Sequence, residues 1–253
     1  MKKELCFGIM TFMVAALFIL PGCKKITQPG VGCCNIKRFA YAGSPLGVGR
    51  LTNDTMWFTY NASGNPVSGI RAFPSTGYPN FLFRYDHFNR LTDLIGVYGQ
   101  SIADGVESWI KYFYDGRGRI ISDSIYGLPL IVNGRPTIAQ FTSPSVTAYE
   151  YDSEDRISKV SLQHFVTTYS YDPHGNLVGP SYDNKVNFHQ TNKIWMFIDR
   201  DYSVNNPITA SYTYNAVGLP TRIVPFAGTV GHFMTVAGTS LEFSAADIEY
   251  DCH

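Results

Sequence analysis

A nine-residue pattern, written at Phe83 to Leu91 as Phe-Arg-Tyr-Asp-His-Phe-Asn-Arg-Leu, returns five more times and constrains the fold more than any other feature of the chain. The copies centre on Tyr60, Tyr85, Tyr114, Tyr151, Tyr171 and Tyr214. An aromatic lies two residues before each (Phe58, Phe83, Tyr112, Tyr149, Tyr169, Tyr212), and Asp or Asn always follows. Four residues after the tyrosines stand Gly64, Asn89, Gly118, Asp155, Gly175 and Gly218, residue types that accept a positive φ most cheaply. The pattern predicts a hairpin. Asp or Asn opens a type I turn, two variable residues span it, and the left-handed residue closes a three-residue loop with a bulge. Pro173 suits the first central position, where its fixed φ favours the turn. This register sets each tyrosine opposite the residue six later: Pro66, Leu91, Ile120, Ile157, Leu177 or Pro220. It also sets Asp86 against Arg90, Asp115 against Arg119 and Asp152 against Arg156. Each cross-strand pair contributes roughly 0.2–1 kcal/mol, so the hairpins also need a packed face to hold them.

The repeat resembles the tyrosine-aspartate (YD) repeat of Rhs-type and wall-associated bacterial proteins, and the resemblance implies antiparallel hairpins in a long curling sheet. It covers most of 56–251, with copies 20 to 43 residues apart. The chain is also similar to small lipoproteins of Bacteroidetes-type bacteria that carry a domain of unknown function. The residues that carry this likeness are Tyr182-Asp183-Asn184-Lys185-Val186-Asn187-Phe188, and Asn205-Asn206-Pro207 leading into Tyr212-Thr213-Tyr214-Asn215. The expected fold class is all-β: an antiparallel hairpin-repeat sheet, strongly curled, barrel-like or half-open, because the accumulated twist of a dozen strands works against a flat sheet.

Residues 1–22 read as an export signal, with Lys2 and Lys3 ahead of a 14-residue apolar run from Phe7 to Leu20. That run is shorter than the ~20 residues a spanning helix needs. Leu20-Pro21-Gly22-Cys23 resembles a bacterial lipobox, which implies a diacylglycerol on Cys23 and a lipid anchor to the outer membrane as the membrane partner. Residues 23–50, rich in Gly and Pro, read as a flexible tether running into an irregular first strand. Residues 51–253 read as a single β domain. In an exported chain a disulfide from Cys33 or Cys34 to Cys252 would staple the tether to the last strand; free thiols are the alternative. Asn133-Gly134 is a strong two-residue turn signal and marks an inserted hairpin, which Pro129, Pro136 and Pro144 put at an edge. The apolar run within 191–201 fits either a short helix or a strand buried on both faces. Two final strands are expected at about 229–237 and 240–250.

Chemistry is sparse in this sequence. None of His87, His164, His174, His189, His232 and His253 lies two to four residues from another, so no zinc spacing is present. There is no Gly-x-Ser-x-Gly and no phosphate-cradling glycine loop. The acidic cluster Glu150, Asp152, Glu154, Asp155 coincides with a repeat turn and lacks calcium-loop spacing. No metal, cofactor or catalytic residue is therefore expected. Of the 20 basic and 20 acidic residues, Lys2, Lys3 and Glu4 precede Cys23, leaving 18 and 19 with no basic block, which argues against nucleic acid. Trp57, Trp109 and Trp195 are candidates for stacking on a ligand, with core packing as the plainer role. The expected function is a non-catalytic, lipid-anchored binding or scaffold module of the cell envelope, with a glycan or peptide as ligand or an envelope protein as partner. A secreted polysaccharide hydrolase and an outer-membrane barrel are the alternatives.

Overall fold

The aromatic-x-Tyr pairs put two rings on one face of each strand, because strand side chains alternate. A computed structural model, which describes residues 34–43, 53–138, 143–236 and 239–252, shows where those faces point. The first strands are β1 (Cys34–Ala42), β2 (Asp54–Tyr60), β3 (Pro66–Arg71), β4 (Asn80–Tyr85), β5 (Leu91–Val97), β6 (Val106–Tyr114) and β7 (Ile120–Gly127). After them come β8 (Leu130–Val132), β9 (Arg135–Thr137), β10 (Ser145–Tyr151), β11 (Ile157–Leu162), β12 (Phe165–Thr168) and β13 (Tyr182–Val186). The chain then forms helix α1 (Lys193–Asp199) and strands β14 (Asn205–Pro207), β15 (Ala210–Tyr214), β16 (Pro220–Pro225), β17 (Gly231–Val236), β18 (Thr239–Phe243) and β19 (Ala245–Cys252).

Thirteen strands make one antiparallel sheet in the order β12-β11-β10-β7-β6-β5-β4-β3-β2-β1-β19-β16-β15, and its ladder does not close between β12 and β15. Each repeat tyrosine faces the residue six later: Tyr60 with Pro66, Tyr85 with Leu91, Tyr114 with Ile120, Tyr151 with Ile157, Tyr171 with Leu177 and Tyr214 with Pro220. A register shift follows in the five strand-paired copies. In β5, Leu91 faces Tyr85, Asp93 faces Arg84 and Leu94 faces Phe83, so Thr92 is the extra residue. The bulge explains why apolar residues recur three apart there, since Leu91 and Leu94 both turn inward.

Neighbouring hairpins are tied by a device the pattern did not reveal. In four of the six copies the tyrosine hydroxyl donates to the carbonyl of the residue that faces the preceding tyrosine: Tyr85 to Pro66 at 2.7 Å, Tyr114 to Leu91 at 2.8 Å, Tyr151 to Ile120 at 2.7 Å and Tyr171 to Ile157 at 3.0 Å. The half-copy at the C-terminus joins in, with Tyr250 donating to Pro220 at 2.7 Å. The turn Asp–Arg pairs are two-pronged, and each guanidinium also covers the ring of the next tyrosine. Arg90 lies 4.8 Å from the Tyr114 ring, Arg119 5.1 Å from Tyr151 and Arg156 4.1 Å from Tyr171. These pairs, read from sequence as register markers, thus also couple one hairpin to the next. Tyr114→Phe removes one such donor and leaves the Leu91 carbonyl short of a partner, so urea unfolding should show a loss of about 1 kcal/mol.

The concave side of the sheet is filled. Asn192 caps α1 by accepting from the Ile194 amide, and Ile194, Trp195, Met196, Phe197 and Ile198 are all buried. A helix that is apolar all round must sit inside the protein. Phe58 of β2 and Phe83 of β4 meet Trp195 edge-on, at 5.0 and 5.8 Å between ring centroids, while Tyr149 of β10 lies 5.0 Å from Phe197. From β2 to β10 is six strand steps, roughly 29 Å if the sheet were flat, yet both strands touch a helix about 10 Å long. The sheet is therefore strongly curled around α1.

Two expectations change here. The strand expected over 240–250 breaks at Ser244, whose amide bonds to the Ala42 carbonyl. Its first half, β18, leaves the large sheet and pairs with β17 inside the curl, where Phe233, Met234, Val236, Leu241 and Phe243 are buried. Within the stretch expected as a tether over 23–50, residues from Cys34 form a bulged strand of the large sheet. β1 lies between β2 and β19 with Ile36 and Phe39 fully buried, because those two apolar side chains complete the core on either side of a bulge. The insertion after β7 forms the expected hairpin, a separate two-stranded sheet β8–β9 turned through Asn133 and Gly134 at φ 49° and 69°.

Candidate functional site

The six turns lie at one pole. Gly64, Asn89, Gly118, Asp155, Gly175 and Gly218 have φ of 74°, 58°, 78°, 61°, 84° and 83°. In each turn the leading Asp or Asn side chain accepts from two amides further along the loop. Asp115, for example, takes the Arg117 and Arg119 amides at 2.9 Å each. The Arg119 amide and then its guanidinium hold the Asp115 carboxyl below the usual carboxylate range. Glu150, Asp152, Glu154 and Asp155 are each paired, with Lys159, Arg156, Arg156 again, and both Arg117 and Arg119. The acidic run is thus a solvated, arginine-matched turn. Among the described residues no group of three or more His, Cys, Asp or Glu is placed to hold a metal ion.

Valine at Gly118 or Gly175 puts a β-branched side chain at positive φ and should cost about 1–3 kcal/mol. Gly175→Val should lose more, because a Cβ there meets Val204 Cγ2 at 2.9 Å, whereas Gly118 opens into space. Thermal melts of the two variants check both the direction and the order.

Two tryptophans leave the set of candidate ligand contacts. Trp195 is 1% exposed within the core. Trp109 is 6% exposed, stacked on Tyr126 at 4.8 Å between centroids, and donates to Asp93 at 2.7 Å. It belongs to a small second cluster on the outer face with Ile95, Val97, Ile102 and Val106. Trp57, flanked by inward-facing Met56 and Phe58, points outward and is 43% exposed. Of the two pairings expected for Cys252, the bridge is to Cys34. Cys23 and Cys33 lie outside the described residues.

The two segments that carried the lipoprotein likeness come together across the gap between β12 and β15. β13 pairs with β14, and Asp183 accepts from the amides of Lys185 and Asn206 and from the Tyr214 hydroxyl. Asn176 and Asn205 exchange hydrogen bonds, at 2.9 and 3.2 Å. Side chains and loop backbone therefore span the seam in place of a strand ladder.

Beside the seam lies a buried ionic network that sequence spacing did not disclose. His189 contacts Asp199 at 3.0 Å, Asp201 at 3.5 Å and Asn187 at 3.0 Å. His232 contacts the other oxygen of Asp199, and its Nε2 lies 3.0 Å from Thr235 Oγ1. Burial alone would drive the His189 imidazole down, but the Asp199 and Asp201 carboxylates outweigh it and raise the pKa to about 10. His189 is therefore an imidazolium at neutral pH, joining the end of α1 to β17. The signal was scattered over 49 positions, from Asn187 to Thr235, which no local motif can register.

No family model matches the chain, and no curated protein does. Among solved structures, a porin-like protein from Bacteroides uniformis is similar over 85% of this chain and 98% of its own, at 9% identity and a TM-score of 0.35. The TcdB2-TccC3 structure is similar over 74% of this chain, at 15% identity and a TM-score of 0.27. The Photorhabdus luminescens Tc holotoxin pore is similar over 70%, at 13% identity and a TM-score of 0.23. This chain spans 11% and 10% of the length of those two toxin chains.

Proposed function

We propose that the chain is a YD-repeat lipoprotein, anchored through Cys23 to the outer membrane, whose repeat domain is a non-catalytic binding or scaffold module of the cell envelope. One observation carries the binding-module part of this reading. The concave side of the sheet is occupied by α1 and the β17–β18 hairpin, so a ligand is left the outer face and the rims. The anchor rests on the residues preceding Cys23. Palmitate labelling in cells tests it: incorporation should disappear in Cys23→Ala, with the chain released from the membrane fraction. Label retained by Cys23→Ala overturns the anchor.

A hydrolase is the second reading, favoured by the carboxylate–imidazole–hydroxyl order of Asp199, His232 and Thr235. Against it, Asp199 is also engaged by His189 and the Thr235 hydroxyl is shared with Ser240 at 3.0 Å. Incubation of the full chain with polysaccharides and simple esters separates the two. Turnover that disappears in Thr235→Val makes the chain an enzyme.

A further inference from the structure

We infer that the outer face around Trp57 is a binding platform for a neutral glycan. The inference rests on the binding-module reading above and gives it a site and a ligand class. Trp57 stands on β2, in the interior of the thirteen-stranded sheet, with Arg38 of β1 and Ile70 of β3 as its cross-strand neighbours. Of the three tryptophans, it is the exposed one. Two residues along the same strand, Thr59 and its partner Ser68 form an exposed hydroxyl pair at 2.6 Å. On the other side Arg38 pairs with Glu249 at 2.9 Å, and its Nε is buried without a hydrogen-bond partner. The next row on the same face runs Thr55, Ala40, Asp247 and Arg222, with the last two joined at 2.7 and 2.9 Å.

Thr55 and Ala40 are short side chains, so the floor between Trp57 and the Arg222–Asp247 pair is low. An apolar ring face beside a low floor, rimmed by hydroxyls and ionic groups, matches the two chemistries of a sugar: a C–H face that stacks and an edge of hydroxyls that donates and accepts. The two guanidiniums, Arg38 and Arg222, are matched by two carboxylates, Glu249 and Asp247, so the platform offers no excess charge to an anionic ligand. The row from β3 to β16 crosses five strands, about 19 Å at ordinary strand spacing, which accommodates a short run of sugar rings rather than one.

The test uses the full chain in a detergent without a sugar headgroup, titrated with maltohexaose, cellohexaose, mannohexaose and chitohexaose. Tryptophan fluorescence reports the site directly, since Trp109 and Trp195 are buried. At least one hexasaccharide should shift the exposed component. Read by isothermal titration calorimetry, because the variants lack the reporting indole, Trp57→Ala should weaken that binding about tenfold or more while Trp57→Phe keeps most of it. Equal binding by wild type and Trp57→Ala overturns the site. So does the absence of binding to all four sugars in protein that melts normally, or a response to extended peptides in their place. Membrane retention through Cys23, measured on the same preparation, separates this failure from failure of the anchor.

Discussion

Replacing Trp195 with alanine is expected to cost about 3–5 kcal/mol, a large share of the stability of any single domain. The indole is 1% exposed and meets Phe58 and Phe83 edge-on and Phe233 at 5.6 Å, so its removal empties the place where β2, β4 and β17 converge on the helix. A packed sheet around a seven-residue helix has little freedom to collapse into that space, which is the condition for a cost near the top of the range. For a domain of this size the melting temperature should fall by roughly 6–20 °C. Trp195→Phe keeps an aromatic in place and should lose far less. Denaturant titration of the pair decides it, and near-equal midpoints for Trp195→Ala and wild type would mean that the helix is not the core of the curl.

The second large effect is an alkaline loss of stability carried by His189. Its folded pKa, about 10, lies above the ordinary histidine value of about 6.5. The folded state therefore holds the proton more tightly, and its contribution is fully present below pH 6.5. It declines as pH rises and is gone once pH passes about 10. A shift of this size corresponds to a few kcal/mol. The core tyrosines enter only at the top of this window. Burial raises their folded hydroxyls above the ordinary value of about 10, so their own linkage begins as pH approaches that value. On the acid side, burial tends to raise the Asp201 carboxyl, but the His189 imidazolium outweighs burial and holds it low. Its contribution is present above the ordinary Asp value and is lost as pH falls below that. Unfolding free energy measured from pH 6 to 10 should slope downward in the wild type and flatten in His189→Gln. A wild-type profile that is level from pH 7 to 9.5 would show that His189 is not the charged partner of Asp199 and Asp201.

The hairpins were legible because their instructions are local. Asp86, Asn89 and Leu91 span six positions, and turn sterics, a positive φ and the two-residue alternation of strands are all satisfied within that span. The same locality made the β8–β9 hairpin visible through Asn133-Gly134 and the bulges visible through apolar residues three apart. The tyrosine hydroxyls are a different matter. Those of Tyr85, Tyr114, Tyr151 and Tyr171 reach carbonyls 14 to 31 positions away, and their donor role exists only once two hairpins lie side by side. The run Ile194 to Ile198 could be read as helix or strand because it is apolar on every side. The Asn192 cap and the curled wall around it resolve that ambiguity, and only the wall lies beyond local sequence.

The candidate site divides in the same way. Sequence alone determined that Trp57, Trp109 and Trp195 are candidate rings to stack on a ligand, that Cys252 has the adjacent pair Cys33 and Cys34 to choose from, and that turns bearing Asp and Arg repeat along the chain. The tertiary structure alone decided that two of the tryptophans are buried, that Cys34 is the bridged partner, and that His189, Asp199, Asp201 and His232 meet in one network. The physical reason is range. Backbone sterics and strand alternation act over a handful of residues and leave their mark in sequence, whereas burial and charge pairing depend on which distant surfaces the curl of the sheet brings together.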